Sequence, residues 1–493
     1  MDLSLIDLVV FLSYMLAIIL FGASFYFKKR SANDYITGGG RLPSWAIGMS
    51  IFATFVSSIS FLALPGSAYL SNWSGFVFSL SIPIAAILAV KFFVPLYRGI
   101  KNPSAYYYLE TKFGAWARTY ASICYLLTQL ARMGAIMYLL ALPMNVMFGW
   151  SIPMIIVVTG VSVLIYSIMG GFEAVIWTDA IQGIVLISGA LACLLIIMFS
   201  MPEGPGQVFT IGAEHDKFSL GSLGFSLSES TFWVILIYGL FINLQNFGVD
   251  QNYVQRYLSA KSDKEAVKST LLGSLLYVPV SLLFFFIGTA LFAYYQAMPE
   301  LLPEAYSGMD QADKVFPYFI VSGFPVGMTG LLIASIFAAG MSTISTSINS
   351  SATIILTDHY KRYISPDVSG KSEMRVLLFS SFIMGLLAII VAIAFNGVES
   401  ALDAWWALSA IFSGGILGLF LLGFIGKNIK QKYAAIGVAL GVLVIAWMSL
   451  SPVILEEGMR FRSTFHANLT IVFGTIVIFL VGFLFSAIAN RKN

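Results

Sequence analysis

The chain is poor in the residues on which most water-soluble proteins depend. Charged residues make up 10% of its 493 residues, against about a quarter in soluble domains. Its two cysteines, Cys124 and Cys193, both lie in apolar runs, which excludes a disulfide framework or a cysteine zinc cluster. Three widely spaced histidines and no nucleophile–base pair in the apolar runs argue against an enzyme. The net charge of +3 is too small to indicate a nucleic-acid partner. The sequence has no Walker-type glycine loop, which argues against a primary pump.

Hydrophobic residues are what the chain has in excess, at 58% with a mean hydropathy of +0.88. Apolar runs of about 18 residues or more recur throughout, and they do not alternate as barrel strands would. We therefore expect an all-α polytopic membrane protein with about thirteen transmembrane helices. The predicted spans are 5–27, 45–70, 75–97, 119–146, 152–170, 175–199, 231–252, 268–295, 327–357, 374–395, 404–425, 433–450 and 467–489.

The distribution of basic residues predicts the orientation of these spans. If the amino terminus lies outside and the spans alternate, 22 of the 27 lysines and arginines fall on one side, Arg256 among them. Four fall on the other side, and Arg132 remains inside a span. Since loops rich in lysine and arginine stay cytoplasmic, we expect the carboxyl terminus inside. A single chain with short loops is typical of a bacterial inner (cell) membrane, where its partners would be lipid and a small substrate. Nothing in the sequence requires more than a monomer.

Two charged residues within the predicted spans call for a reason, because a charge in hydrocarbon costs several kcal/mol. Arg132 lies about halfway along the fourth span. It is either a structural arginine that ties helices together or a guanidinium fork that holds a substrate carboxylate. Asp179 lies near the cytoplasmic start of the sixth span, where it is either an amino-terminal helix cap or a functional carboxylate.

Hydroxyl side chains are concentrated in the second and ninth spans. Five of them occur within residues 50–60, ahead of Pro65-Gly66, which favours a broken helix whose freed carbonyls line a cavity. In the ninth span, one helix face carries Ala339, Ser342, Thr343 and Thr346, with Ser345 beside them. Such a set of neutral oxygens suits a sodium ion. The alternative is that these hydroxyls only join helices, at about 1 kcal/mol per hydrogen bond.

A third polar stretch, residues 243–248, interrupts the apolar character of the seventh span. Its amides, with Phe241 and Phe247 as neighbours, suit a polyhydroxylated substrate, because rings stack on sugar faces and amides bond to hydroxyls. The two rings are equally consistent with ordinary packing.

Several motifs together resemble the sodium:solute symporter family, over essentially the whole chain. They are Asp34-Tyr35 followed by Gly38-Gly39-Gly40-Arg41, residues 169–179 (MGGFEAVIWTD) with Gln182, residues 252–257 (NYVQRY), and the hydroxyl-rich ninth span. The resemblance implies one transporter domain over 1–493 with an inverted five-helix-repeat (LeuT-like) core. The first repeat would be 45–199 and the second 231–425. The first helix, 5–27, and the last two, within 433–489, would be peripheral.

The resemblance also implies ligand residues. A first sodium ion would bind the carbonyls of Ala53, Val56 and Ala339 and the hydroxyls of Ser342 and Thr343. A second site, as in the sialic acid symporters of the family, would use Asp179, Ser342, Ser345 and Thr346. Arg132 matches the arginine that holds the substrate carboxylate in those symporters. The full candidate substrate set is Arg132, Ser57, Ser58, Ser60, Ser79, Phe241, Asn243 and Asn246.

The expected function is sodium-coupled secondary active import of sialic acid (N-acetylneuraminate) by alternating access, with two sodium ions per substrate and no organic cofactor. Three positions depart from the sialic acid pattern: Phe55, Ser79 and Gly75 stand where that pattern has threonine, glutamine and phenylalanine. The alternative is therefore a sodium-coupled symporter of a neutral monosaccharide or of another small organic anion.

Overall fold

A computed structural model of the chain describes residues 4–27, 31–306, 312–396, 408–412, 415–426, 429–456 and 458–491, and these are mostly helical. Within them, extended pairing amounts to one isolated bridge between Leu42 and Ala260. The helices in chain order are α1 Leu5–Ser24, α2 Ala32–Thr37, α3 Ser44–Phe55, α4 Ser58–Leu70, α5 Trp73–Ile100, α6 Tyr107–Phe113, α7 Ala115–Phe148, α8 Ile152–Phe199, α9 Gln207–Glu214, α10 Phe232–Val249, α11 Gln251–Ser259, α12 Asp263–Ala297, α13 Ala312–Ser322, α14 Met328–Ile364, α15 Gly370–Ala394, α16 Ile416–Ile425, α17 Gln431–Ile454 and α18 Leu469–Arg491.

The number of membrane crossings agrees with the sequence. In the described part of the chain, eleven helices are long and apolar enough to span a membrane, or twelve when α3 and α4 count as one bent span. The 48 residues of α8 would extend about 72 Å, more than twice the thickness of the hydrocarbon core. Gly171 interrupts this helix with φ 60° and ψ −166°, a conformation open essentially to glycine alone. Counted as two crossings, α8 brings the total to the predicted thirteen. The second crossing starts directly after Gly171 and not at residue 175.

The predicted break in the second span is confirmed, although proline does not cause it. Helices α3 and α4 meet at an angle of 54°. Val56 and Ser57 between them are extended, with ψ of 112° and 171°. Pro65 lies inside α4, which continues past it. The break therefore releases the carbonyls at the end of α3 from their usual helical partners.

Helix α14 forms the centre of the molecule. In its most apolar stretch of 18 residues, 94% of the residues are buried, far more than in the other spans of the described chain. It packs against α1, α3, α7 and α8. Every side chain from Ala338 to Ile354 is buried, so the hydroxyls of this segment face protein and not lipid.

The seventh predicted span ends earlier than expected. Helix α10 stops at Val249, and Asp250 is extended, with its carboxylate accepting a hydrogen bond from the Asn252 amide at 2.7 Å. This carboxylate begins the short helix α11, nearly all of whose side chains are buried despite their polarity. Residues 251–259 thus form a polar element inside the protein and not a surface loop.

Helix α1 contacts the core, whereas the last two helices pack mainly on each other. Asp7 of α1 is buried, and its Oδ1 accepts hydrogen bonds from the backbone amides of Gly327 and Gly330, at 2.7 and 2.8 Å. These amides lie at the amino terminus of α14. The contacts of α17 are mostly with α18. The division into repeats at 45–199 and 231–425 stays a prediction of the sequence.

Candidate functional site

The break between α3 and α4 faces the hydroxyl-rich middle of α14. Ser342 Oγ donates to the carbonyls of Ala53 at 2.8 Å and Ala339 at 3.1 Å, and Thr343 Oγ1 donates to Ala339 O at 3.3 Å. Val56 is fully buried at the break itself. The structure thus places the five residues predicted for the first sodium ion around one junction. A hydroxyl offers lone pairs as well as a proton, so rotation of Ser342 would turn this junction into a neutral oxygen shell for a cation.

Asp179 is fully buried inside α8, about two turns beyond Gly171. The amino-terminal cap considered for it is therefore wrong, because caps occupy the first turn of a helix. Its Oδ2 accepts hydrogen bonds from Ser50 Oγ at 2.7 Å and, at 3.4 Å, from Thr346 Oγ1. Ser345, also predicted for the second sodium ion, donates instead to the Ser342 carbonyl at 3.1 Å. Of the hydroxyls predicted for the second sodium ion, that of Thr346 thus bonds to the carboxylate, while that of Ser345 bonds within α14.

Arg256 is the residue that sequence reasoning missed. It was counted among the cytoplasmic basic residues, but it is completely buried and forms an ion pair with Asp179, with 2.7 Å between Nη2 and Oδ2. Its Nε donates to Ser50 Oγ at 2.9 Å, and Nη2 donates to Thr54 Oγ1 at 2.6 Å. Nη2 also donates to Thr346 Oγ1 at 2.7 Å. The available signal was the NYVQRY motif itself, whose two tyrosines and valine are unusual for a solvated loop.

The ion pair of Asp179 and Arg256 leaves the second candidate site without net charge. A buried carboxylate next to a buried guanidinium is neutral overall before any ion arrives. Asp179 Oδ2 is shared by three donors, whereas Oδ1 is buried without a hydrogen-bond partner. A sodium ion here would therefore meet the unshared oxygen Oδ1 and share the carboxylate with Arg256.

Arg132 lies at the same break. Its Nη2 donates to the Thr54 carbonyl at 3.4 Å, and Asp250 and Tyr253 are within electrostatic reach of its half-buried side chain. A guanidinium has five donors, so the long bond to Thr54 leaves capacity for a bidentate partner. The geometry places a cationic fork at Thr54, two residues before the helix break, where a substrate carboxylate could reach both.

The hydroxyls predicted around Arg132 are only partly described. Ser57 is buried in the break, at the position preceding α4, and Ser60 is half-buried one turn further on. The side chain of Ser58 lies outside the described residues.

The predicted residues of α10 have partners on other helices. Asn243 is buried, and its Nδ2 donates to Ser81 Oγ at 3.0 Å and to the Phe78 carbonyl at 3.5 Å, so it bonds to α5. Phe241 packs on the side cluster that includes Val234 and residues of α17 and α18, which fits a packing role. Asn246 is half-buried.

An aromatic cluster lies between these two regions. Phe55 stacks on Phe247 with 5.4 Å between ring centroids, and it meets Tyr277 edge-on at 4.5 Å and Phe78 at 6.5 Å. Because Phe55 replaces a smaller residue of the sialic acid pattern, this ring takes up space beside the break.

The other two departures from the pattern also have partners. Ser79 is buried and donates to Ser281 Oγ at 2.8 Å. At Gly75, an added Cβ would come within 2.9 Å of the Phe285 ring, so a larger side chain would require Phe285 to move. All three departures thus fall on α3 and α5, and each of them faces a residue of α12.

A model of the sodium:solute symporter family matches residues 35–441. The chain belongs to this family. A sodium/sialic acid symporter of Proteus mirabilis, SiaT, is 36% identical over 448 residues, covering 90% of this chain and 89% of that protein. A second, NanT of Aliivibrio fischeri, is 34% identical over 96% of this chain and 91% of its own length. The family is one of transporters and is not a class of enzymes.

Solved structures show the same fold. The structure of a Na+-coupled sialic acid symporter, in a substrate-bound outward-open state with a novel Na+ site, aligns with a TM-score of 0.90 and 32% identity, covering 99% of this chain and 98% of that one. Mhp1, a nucleobase-cation-symport-1 family transporter, aligns over 92% of this chain with a TM-score of 0.57 at 15% identity, a likeness of fold alone. The chain is thus a multi-pass membrane protein of the sodium:solute symporter family with the predicted core.

Proposed function

We propose that the chain uses the sodium gradient to import a sialic acid by alternating access. The observation that carries the proposal is the junction at Val56–Ser57. There the Ser342 hydroxyl of α14 bonds to the Ala53 carbonyl of α3 and to the Ala339 carbonyl. Arg132 donates to the carbonyl of Thr54, the residue after Ala53. Sodium bound at the junction orders the broken helix, and the substrate carboxylate then binds Arg132. The names of the relatives from Proteus mirabilis and Aliivibrio fischeri support sialic acid as the substrate.

Two sodium ions per substrate fit both the residues and the energetics. One sodium ion with one monovalent anion carries no net charge, so a tenfold sodium gradient supports only about tenfold accumulation, or about 1.4 kcal/mol. A second ion adds another ~1.4 kcal/mol from the gradient and ~2.3 kcal/mol from a 100 mV potential. The sum, about 5 kcal/mol, corresponds to accumulation of several thousand-fold. We assign the second ion to the region of Asp179, Ser345 and Thr346.

The orientation follows from the basic residues, with the amino terminus outside and the carboxyl terminus in the cytoplasm. We propose the inner membrane of a bacterium as the location and a monomer as the working unit. Because Arg256 is buried, 21 basic residues remain on the cytoplasmic side against four outside, so the asymmetry in basic residues still supports this orientation.

The aromatic cluster around Phe55 favours a second candidate function. A ring that takes up space beside Arg132 would suit a substrate smaller than N-acetylneuraminate, such as another small organic anion. A neutral monosaccharide would need no carboxylate partner at all and would leave Arg132 with its structural bond to the Thr54 carbonyl.

Uptake of labelled N-acetylneuraminate into proteoliposomes tests the proposal. We expect accumulation with an inward sodium gradient and none with potassium, abolished in Arg132→Ala and reduced in Arg132→Lys, which keeps the charge but loses the fork. Arg460→Ala, a change at an exposed arginine outside the spans, is the matched control and should transport normally. Accumulation of a neutral sugar that persists in Arg132→Ala would instead establish the second candidate.

A further inference from the structure

A cavity of about 380 Å³ lies between α10, α17 and α18, and the described residues that line it include none of the candidate sodium or substrate ligands. Protein interiors leave few voids larger than a water molecule. An apolar cavity of about 150 Å³ is already enough to bind a molecule the size of benzene. This cavity therefore has room for part of a larger ligand.

The two parts of the cavity differ in polarity. Ile242 and Met448 line the part that lies within the spans. Ser463, Thr464 and Asn468 line the part formed by the loop between α17 and α18. A ligand that matches this division has an apolar chain and carries its polar atoms at one end.

Ser463 supplies an independent indication that a ligand binds in this cavity. It is 6% exposed, and its Oγ is buried without a hydrogen-bond partner among the residues that the structure describes. Its backbone amide donates to Ser451 Oγ at 2.9 Å, which holds the residue against the last turn of α17. Buried hydroxyls are nearly always hydrogen-bonded, because an unpaired one loses its hydration without compensation. The Ser463 hydroxyl therefore lacks an acceptor that a bound molecule would supply.

The cavity is continuous with the lipid-facing surface at the end of α17, since Val453, which lines it, is 81% exposed. The 24 residues of α17 extend about 36 Å, slightly more than the ~30 Å hydrocarbon core, so the last turn lies near the polar boundary of the bilayer. Trp447 is exposed beside the cavity and donates to the Phe461 carbonyl at 2.8 Å, as expected of the aromatic belt at this boundary. The ester groups of phospholipids lie at the same depth.

We propose that this cavity binds a diacyl phospholipid, with one acyl chain against Ile242 and Met448 and an ester carbonyl that accepts a hydrogen bond from Ser463 Oγ. The proposal goes beyond the proposed function, because it needs only that the chain spans a membrane. A bound lipid fills space between α17–α18 and α10, the helix that carries Asn243 and Asn246. We therefore expect the lipid to stabilise the folded protein.

Binding of two synthetic lipids to the purified protein tests this site. One is a diacyl phosphatidylethanolamine, and the other is its diether analogue, which has the same chains and headgroup but no ester carbonyl. Native mass spectrometry of the protein in detergent measures the binding of each lipid, and the melting temperature measures the stabilisation. We expect the diacyl lipid to bind roughly fivefold more tightly, the effect of one neutral hydrogen bond. In Ser463→Ala the two lipids should bind equally.

Matched variants separate the cavity from the rest of the lipid-facing surface. Ser486→Ala removes another buried hydroxyl without a described partner, near the other end of α18, and should keep the preference for the diacyl lipid. Ser449→Phe places a ring in the cavity and should release the most tightly bound lipid, whereas Leu443→Phe adds the same ring at an exposed position of α17 and should retain it. Equal binding of both lipids by the wild type, or a lipid retained in Ser449→Phe, would overturn the proposal. Neither result would alter the uptake measurements that test the proposed function.

Discussion

Asp179 and Arg256 form an ion pair in which both side chains are completely buried, so the pair strongly affects the stability of the core. Loss of one partner from a buried ion pair costs about 3–5 kcal/mol, because the other charge stays in the interior without compensation. We therefore expect Arg256→Met to lower the melting temperature sharply. The double variant Asp179→Asn/Arg256→Met, which removes both charges, should recover much of the loss. Thermal unfolding of the purified variants measures this, and a single variant as stable as the wild type would contradict the pairing.

The sequence identified some of these residues and not others, for a physical reason. Arg132 and Asp179 stand out because charge within an apolar run is rare. Arg256 does not, because it follows an apolar span and has lysines at 261 and 264 after it, as a loop residue would. Its burial depends on α11 folding back into the protein after Asp250, a tertiary event that the NYVQRY motif indicates only weakly.

At the scale of helices, the hydroxyl density of the second span predicted a broken helix correctly, but the position of the break could not be read from it. Pro65 was the obvious local signal, yet α4 stays helical there and packs closely on α12, where a Cβ at Gly288 would lie 2.2 Å from the Pro65 carbonyl. The break lies at Val56–Ser57 instead, where Ser342 of α14 supplies a hydrogen bond to a freed carbonyl. The partner helix, and not the local sequence, determines which carbonyls are released.

Helix α1 should contribute to the position of α14 through Asp7. Its carboxylate bonds to two amides at the amino terminus of the helix that carries Ser342 and Thr343, where a negative charge is also favoured by the helix dipole. We expect Asp7→Ala to destabilise the protein by about 1–2 kcal/mol, the usual effect of losing a helix cap, and Asp7→Asn by less. Melting temperatures measure both. Equal stability of Asp7→Ala and the wild type would contradict an anchoring role for α1.

The segment between α8 and α10 holds a buried lysine outside the membrane spans. Lys217 Nζ donates to the Tyr69 carbonyl at the end of α4 at 2.7 Å and lies 3.8 Å from the centre of the Phe292 ring. Burial lowers the pKa of Lys217 to about 8, from about 10.4 in an unfolded chain. Between these two values the unfolded chain binds more protons than the folded one, so this residue makes stability rise with pH across that interval.

A pH series tests the contribution of Lys217. The wild type should gain stability relative to Lys217→Met as the pH increases from about 8 to about 10, because the variant has no ammonium group to deprotonate. Lys264→Met, a change at an exposed lysine, serves as the control and should follow the wild-type profile. Parallel profiles for the wild type and Lys217→Met would show that burial does not shift this group.

At the scale of the whole molecule, composition and the distribution of basic residues were enough to predict a helical membrane protein with about thirteen crossings, whereas the transporter fold was implied by the family motifs. They work because the bilayer imposes long apolar helices and a charge asymmetry on any such chain. Composition and basic residues do not predict the shape of the substrate pocket. Phe55 meets Phe247 and Tyr277 across three helices, and which residues face one another there depends on helix rotation and tilt, which hydropathy does not encode.

Calorimetric binding of N-acetylneuraminate in sodium and in potassium buffer tests the central claim most directly, namely that sodium at the α3–α14 junction prepares the substrate site. Linkage requires that an ion which orders the site raises the affinity for the substrate. We predict at least tenfold tighter binding in sodium, a coupling of about 1.4 kcal/mol. That difference should be lost in Ser342→Ala and kept in Ser335→Ala, a change elsewhere on α14 whose hydroxyl bonds to the carbonyls of Leu331 and of Val185 in α8. Equal affinity in the two buffers for the wild-type protein would contradict the account.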